Sequence, residues 1–187
     1  MVIEVHLVRE AGGKGVADAH NLLKKQLSYL GVSTEKENHF FTIIPTAIIE
    51  TVDDGFGEEV VIYSEDISTI KNIIALLNGA GLGFFIDKIK TRAGFPDVEI
   101  SRKFEDLSAQ RDMFNKVVDE LTRKLNPTVI KDMYRVTMVT NDAIITVFRG
   151  DVSVFINIYA QSISPVYNIA KLASALLDNW ELYFEFR

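Results

Sequence analysis

The sequence predicts an α+β fold built by tandem duplication of a two-layer β-α-β-β-β-α-β unit. The first observation behind this is an ungapped internal repeat. Residues 47–76 (AIIETVDDGFGEEVVIYSEDISTIKNIIAL) match residues 143–172 (AIITVFRGDVSVFINIYAQSISPVYNIAKL) at a constant offset of 96. Ala47, Ile48, Ile49, Ile62, Tyr63, Ile67, Ser68, Asn72, Ile73 and Leu76 all recur, where average residue usage would give about two identities. The second observation is that strand-like and helical periods follow one another in the same order in both halves. The third is size: 187 residues, 48% of them hydrophobic, suffice for one large or two small cores.

In the first half, Ile3, Val5 and Leu7 alternate with Glu4 and His6, the period of a half-buried strand. Val16, Ala19, Leu23, Leu27 and Leu30 then recur at helical spacing, with Gly31 placed to end that helix. Strands over Phe40 to Ile44, Ala47 to Val52 and Glu58 to Ser64 form a meander, with turns at Pro45-Thr46 and Asp53 to Gly57. Asp66 or Ser68 caps the next helix, whose Ile67, Ile70, Ile74 and Leu77 share a face. Gly79, Gly81 and Gly83 end it, and Phe84 to Lys90 is the closing strand.

The second half begins after a join at Thr91 to Pro96, which divides the chain into 1–92 and 97–187. Val98 to Lys103 is a strand, and Ile3-Glu4-Val5 resembles Val98-Glu99-Ile100. A helix carrying Phe114, Val117, Val118, Leu121 and Leu125 follows, then strands at Tyr134 to Val139, Ala143 to Phe148 and Val152 to Tyr159. The last helix carries Ile163, Val166, Ile169, Ala170 and Leu177, and the last strand alternates Trp180, Leu182, Phe184 and Phe186 with Glu181, Tyr183 and Glu185. Two helices on one face of each mostly antiparallel sheet make two layers. Phe40-Phe41 and Phe155-Ile156 place apolar residues on both sides of their strands, so the second sheet faces are expected to be buried as well. Stacked sheets in an αββα sandwich are the leading arrangement. A second chain against each sheet, or one side-by-side sheet across the pseudo-dimer, are the alternatives.

The balance of 20 basic and 26 acidic residues gives a net charge of −6, and there is no cysteine. That excludes a disulfide framework, a thiolate zinc site and a thiol nucleophile, and it argues against nucleic acid as the main partner. Met1 to Glu10 reads as a strand rather than a signal segment, and no apolar run reaches membrane-spanning length. A cytoplasmic protein without membrane contact is the expectation.

Between the first strand and helix, Gly12, Gly13, Lys14 and Gly15 offer backbone N–H groups and an ammonium for a phosphate or carboxylate. The run lacks the Gly-Lys-Ser/Thr ending of a P-loop. The second half has Leu107-Ser108-Ala109 there, so the fold does not require the glycines. Arg9 and Glu50 are added as candidate ligand contacts. The Gly79 to Gly83 run follows its helix instead of preceding it, which marks a C-cap rather than a phosphate site. His6, His20 and His39 have no metal-ligand spacing and no dense carboxylate neighbourhood, so no metal and no cofactor are expected. Glu50, Asp53, Asp54, Glu58 and Glu59 read as a solvated hairpin end, and Lys24-Lys25 and Arg123-Lys124 as helix-surface pairs.

The order strand (with His6-Leu7-Val8), helix, meander, helix, strand resembles the S-adenosylmethionine decarboxylase fold. Ile49-Glu50-Thr51-Val52-Asp53-Asp54-Gly55-Phe56, the strand Val60-Val61-Ile62-Tyr63 and the helix from Ile67 to Leu77 are similar in layout to the core of the small prokaryotic enzymes. The resemblance covers each half once and implies a fused pseudo-dimer. It also implies self-cleavage at a Glu-Ser bond to leave a pyruvoyl group, and there this chain departs. Ile44-Pro45 and Thr140-Asn141 stand at that bond, Glu50 and Thr146 stand where the family has its catalytic His, and the catalytic Cys has no counterpart. Pyruvoyl-dependent decarboxylation is therefore not expected.

The sequence thus points to a non-catalytic protein that binds a small anionic metabolite or a protein partner, between the repeats or at Gly12 to Gly15. The alternatives are an enzyme using Arg9, Lys14 or Glu50 for proton or phosphoryl transfer, and a subunit of a homo-oligomer or other assembly. The last would expose an apolar patch or an unpaired edge strand.

Overall fold

A computed structural model describes residues 1–10, 17–27, 31–36, 39–53 and 57–187. They form two compact units, Met1–Gly94 and Phe95–Arg187. The first contains β1 (Val2–Glu10), α1 (Ala17–Gln26), β2 (Val32–Lys36), β3 (His39–Ile44), β4 (Ala47–Asp53), β5 (Gly57–Ser64), α2 (Ile67–Gly79) and β6 (Phe85–Arg92). The second contains β7 (Pro96–Lys103), α3 (Leu107–Leu125), β8 (Thr128–Lys131), β9 (Arg135–Val139), β10 (Ala143–Arg149), β11 (Ser153–Ala160), α4 (Ile163–Leu176) and β12 (Glu181–Phe186). The fold is α+β with two similar halves. Each unit has one more strand than the sequence predicts, because β2 and β8 extend the meander at its outer edge. β2 is polar after Val32 and β8 is only four residues long, which gives little period-2 signal in either.

Each sheet is antiparallel throughout, in the order β2-β3-β4-β5-β1-β6 and, for the second, β8-β9-β10-β11-β7-β12. The crossover β5-α2-β6 passes over β1, which sits between the two strands it connects. The split β-α-β arrangement follows. Six pairs of equivalent elements, β2/β8 through β6/β12 with α2/α4, begin 96 residues apart (Val32 to Thr128, Glu181 after Phe85). The first strands pair differently from the sequence alignment. Val5 faces Ile62 and Val98 faces Ile158, so Glu4 corresponds to Asp97 and not to Glu99. A two-residue slip leaves the in/out alternation unchanged, so the sequence pattern alone does not resolve it.

Both helices of the first unit pack on one sheet face. Ala19 and Leu23 of α1, with Ile70, Ile73 and Leu77 of α2, cover Val5, Leu7, Ile44, Ala47, Ile49, Val60 and Ile62. Ile67, the first residue of α2, is exposed rather than on the apolar face, whereas its counterpart Ile163 at the start of α4 is buried. In the second unit Phe114, Val117, Val118 and Leu121 of α3, and Ile163, Val166, Ile169, Ala170 and Ala173 of α4, are buried. The first unit's other sheet face is buried too, at Phe41, Ile43, Ile48, Val61 and Tyr63. The corresponding face of the second sheet is only half-buried at Phe155 and Asn157 and exposed at Ile144 and Tyr159.

Glycine positions behave as their neighbours demand. Gly81 and Gly83 have φ of 76° and 69° in the turn after α2, where Asn78 Oδ1 accepts from the Phe84 N–H. The chain passes from β6 to β7 over residues 93–95, so Thr91, Arg92 and Pro96 belong to strands rather than to a linker. Among the described residues no helix is long and apolar enough to cross a membrane.

Candidate functional site

Alternation along β1 sends Arg9 to the helix-covered face and Glu4 and His6 to the other. Each face carries its own polar cluster.

On the helix-covered face, Arg9 lies directly opposite Glu58 of β5, and its Nε donates to Glu58 Oε2. Its Nη1 donates to the Leu82 carbonyl (3.4 Å), its Nη2 stands 4.0 Å from Asp18 of α1, and its guanidinium lies over the Phe84 ring. Glu58 is 5% exposed. Burial pushes its carboxyl above the usual range, and this outweighs the opposing pull of Arg9 and of the Ala19 N–H in the first turn of α1. Glu58 Oε1 and Asp18 Oδ2 are buried without a hydrogen-bond partner among the described residues. An open cleft of about 300 Å³ at this end of the strands is lined by Arg9 and Glu58 and, from the other sheet face, by Val8, Val52, Glu59 and Lys88, with Asp87 beside them.

On the other face the groups satisfy one another. Glu4, 2% exposed, accepts from Arg92 Nε and contacts His6 Nε2 at 2.5 Å, while His6 Nδ1 meets Glu59. Burial raises the Glu4 carboxyl, but the bonds from Arg92 and His6 outweigh it and hold it below the ordinary value. His39 contacts Glu50, and the Tyr63 hydroxyl donates to Glu50 Oε2 at 3.3 Å. Burial and the nearby Glu50 and Glu4 carboxylates raise the Tyr63 phenol. His20, on the helix side, stacks on Phe40 at 4.3 Å and approaches Glu35 at 3.2 Å; burial lowers its basicity despite that carboxylate.

These contacts correct two expectations. Glu50, Glu58 and Glu59 are not a solvated hairpin end: Glu58 is buried against Arg9, and the other two hold histidines. The histidines do have carboxylate neighbours, two of them for His6. Cross-strand register, invisible in a linear spacing, creates these pairs. Among the described residues no group of His, Asp and Glu is arranged to hold a metal ion. Gly12, Gly13, Lys14 and Gly15 lie outside the described residues. Arg9 and Glu50 are not brought together, since they face opposite sides of the sheet. Glu58 and Asp18, absent from the sequence-derived candidates, are the side chains that the structure adds to Arg9.

The duplication supplies an internal comparison. Arg102 of β7 occupies the position of Arg9, but Val154 stands opposite it where Glu58 would be. Thr146 replaces Glu50, and Phe155 replaces Glu59. The acid–arginine pair at the strand ends is kept in both units, as Glu4–Arg92 and Asp97–Arg187.

No protein-family model matches the chain, and no curated protein matches it. Among solved structures, the chain is similar to "Crystal Structure of an Unknown Protein from Galdieria sulphuraria". That similarity has 13% identity and a TM-score of 0.28, over 100% of this chain and 98% of the other.

Proposed function

We propose that the chain is a non-catalytic binding protein whose first unit takes a small anionic metabolite at Arg9. The observation that carries this reading is the Arg9–Glu58 pair: a cation on the wall of an open cleft, whose counter-ion is a buried carboxylate with one oxygen unpartnered among the described residues. A buried carboxylate is costly. The second unit fills the same position with fully buried Val154, so the layout itself does not call for the charge.

The exchange follows from these groups. An incoming anion replaces Glu58 as the partner of Arg9, and Glu58, already raised by burial, takes a proton from solvent. The protonated carboxyl then carries a hydrogen to donate, which an ionised one lacks. Binding therefore tightens as pH falls. Lys14, outside the described residues, stays a candidate from the sequence alone: Lys14→Ala should weaken binding without changing the melting temperature.

An enzyme built on Arg9 and Glu50 is disfavoured, because the sheet separates them. The resemblance to S-adenosylmethionine decarboxylases is read as one of layout: Pro45, in the turn after β3, has no nucleophile for self-processing.

Thermal melts with inorganic phosphate, nucleotides and di- and tricarboxylates test the proposal. At least one anion should raise Tm, and more so near about pH 5.5 than near about pH 7.5. Arg9→Gln should remove the shift. Absence of a shift with every anion at both pH values overturns it.

A further inference from the structure

We propose that the chain assembles head to tail, with β6 of one copy pairing antiparallel with β12 of the next. Each of these strands ends its sheet, so among the described residues each borders only one other strand, β1 or β7. All eight residues of β6 are exposed, including Phe85 at 56%, Ile86 at 49% and Ile89 at 61%. A long, exposed edge with apolar side chains is a template for another strand.

Charge decides which strand fits. On the face away from the helices β6 presents Lys88, Lys90 and Arg92, opposite His6, Glu4 and Val2. Two copies of β6 in antiparallel register would set these cations against each other. On the same face of its own sheet β12 presents Glu181, Tyr183 and Glu185, opposite Ser101, Glu99 and Asp97. One antiparallel register matches the two edges. Glu181 falls opposite Arg92, which also holds Glu4; Tyr183 falls opposite Lys90; Glu185, which also holds Arg187, falls opposite Lys88; and on the helix side Phe184 falls opposite Ile89. Because paired residues share a face, the helix-covered sides of the two sheets stay continuous. Opposite charges and an aromatic–aliphatic pair are the stabilising cross-strand combinations. Since β6 and β12 are different surfaces, the contact is heterologous, and it closes a ring or continues as a filament.

Light scattering and sedimentation of the full chain test this. The wild type should exceed the mass of one chain in a concentration-dependent way, and added salt should weaken the assembly. Lys88→Glu with Lys90→Glu should give a monomer with an unchanged circular dichroism spectrum, as should Glu181→Lys with Glu185→Lys. Mixing the two monomeric variants should restore assembly, because each brings an edge the other fits. A monomeric wild type overturns the proposal. So does assembly that survives either charge reversal, or a mixture that stays monomeric. None of these readouts depends on anion binding, so failure here is distinct from failure at Arg9.

Discussion

Residues that look unremarkable in the sequence hold each unit together internally. Gln110 is buried in α3, and its Nε2 donates to the Gly150 and Ser153 carbonyls at 2.8 and 2.9 Å, fastening the helix to the turn between β10 and β11. Gln110→Ala strands the Gly150 carbonyl, whereas the Ser153 carbonyl keeps the Gly150 N–H, and the change should cost about 1–2 kcal/mol by chemical denaturation. Arg92→Ala leaves Glu4 buried with His6 alone. The expected loss is about 2 kcal/mol near neutral pH, kept modest because the guanidinium is partly exposed. Its pH dependence has a definite sign. Glu4 titrates below its ordinary value of 4.5 in the fold, so its contribution is complete above that value and disappears as pH falls through the folded-state pKa. The penalty of Arg92→Ala should therefore shrink in melts below about pH 4. His20 acts in the same direction from a higher pH: its basicity is lowered by burial, so acidification below 6.5 favours the unfolded chain. At this scale the sequence was least legible. Alternation placed Glu4 and His6 on one face, but that Arg92 and Glu59 complete their shell depends on register between distant strands.

Helices and strands were read more successfully, because their signals are local. Apolar positions recurring at helical spacing marked α2, α3 and α4, and strict alternation marked β12. Of the two capping candidates for α2 the structure selects Asp66, whose carboxylate accepts from the Ser68 and Thr69 N–H groups at 3.0 and 3.2 Å. Ser162, at the same place before α4, makes no side-chain cap bond. Asp66→Ala should lower the melting temperature, whereas Ser162→Ala should leave it unchanged, a contrast that calorimetry on the two variants would show. The missed strands β2 and β8 have a common cause. Ser33, Thr34, Glu35 and Lys36 carry no apolar alternation, and β8 is four residues long, so pairing with β3 and β9 rather than intrinsic pattern makes them strands.

For the whole chain, the repeat was legible because an ungapped offset survives over the meander and the helix that follows it. The chemical difference between the halves was not, since it lies in what each unit places opposite an equivalent arginine. Glu58 was one acidic letter among five near a turn; opposite Arg9 and under α1 it becomes a buried counter-ion that the second unit replaces with valine. Two copies of one layout, one carrying a buried charge pair beside a cleft, are the physical basis for assigning binding to the first unit. Calorimetric titration of Glu58→Gln against wild type, at about pH 7.5 with the anion giving the largest thermal shift, tests that assignment most directly. Removing the competing carboxylate should tighten binding about tenfold or more and abolish the proton uptake seen on changing buffer. Equal or weaker binding by Glu58→Gln, with proton uptake unchanged, would contradict it.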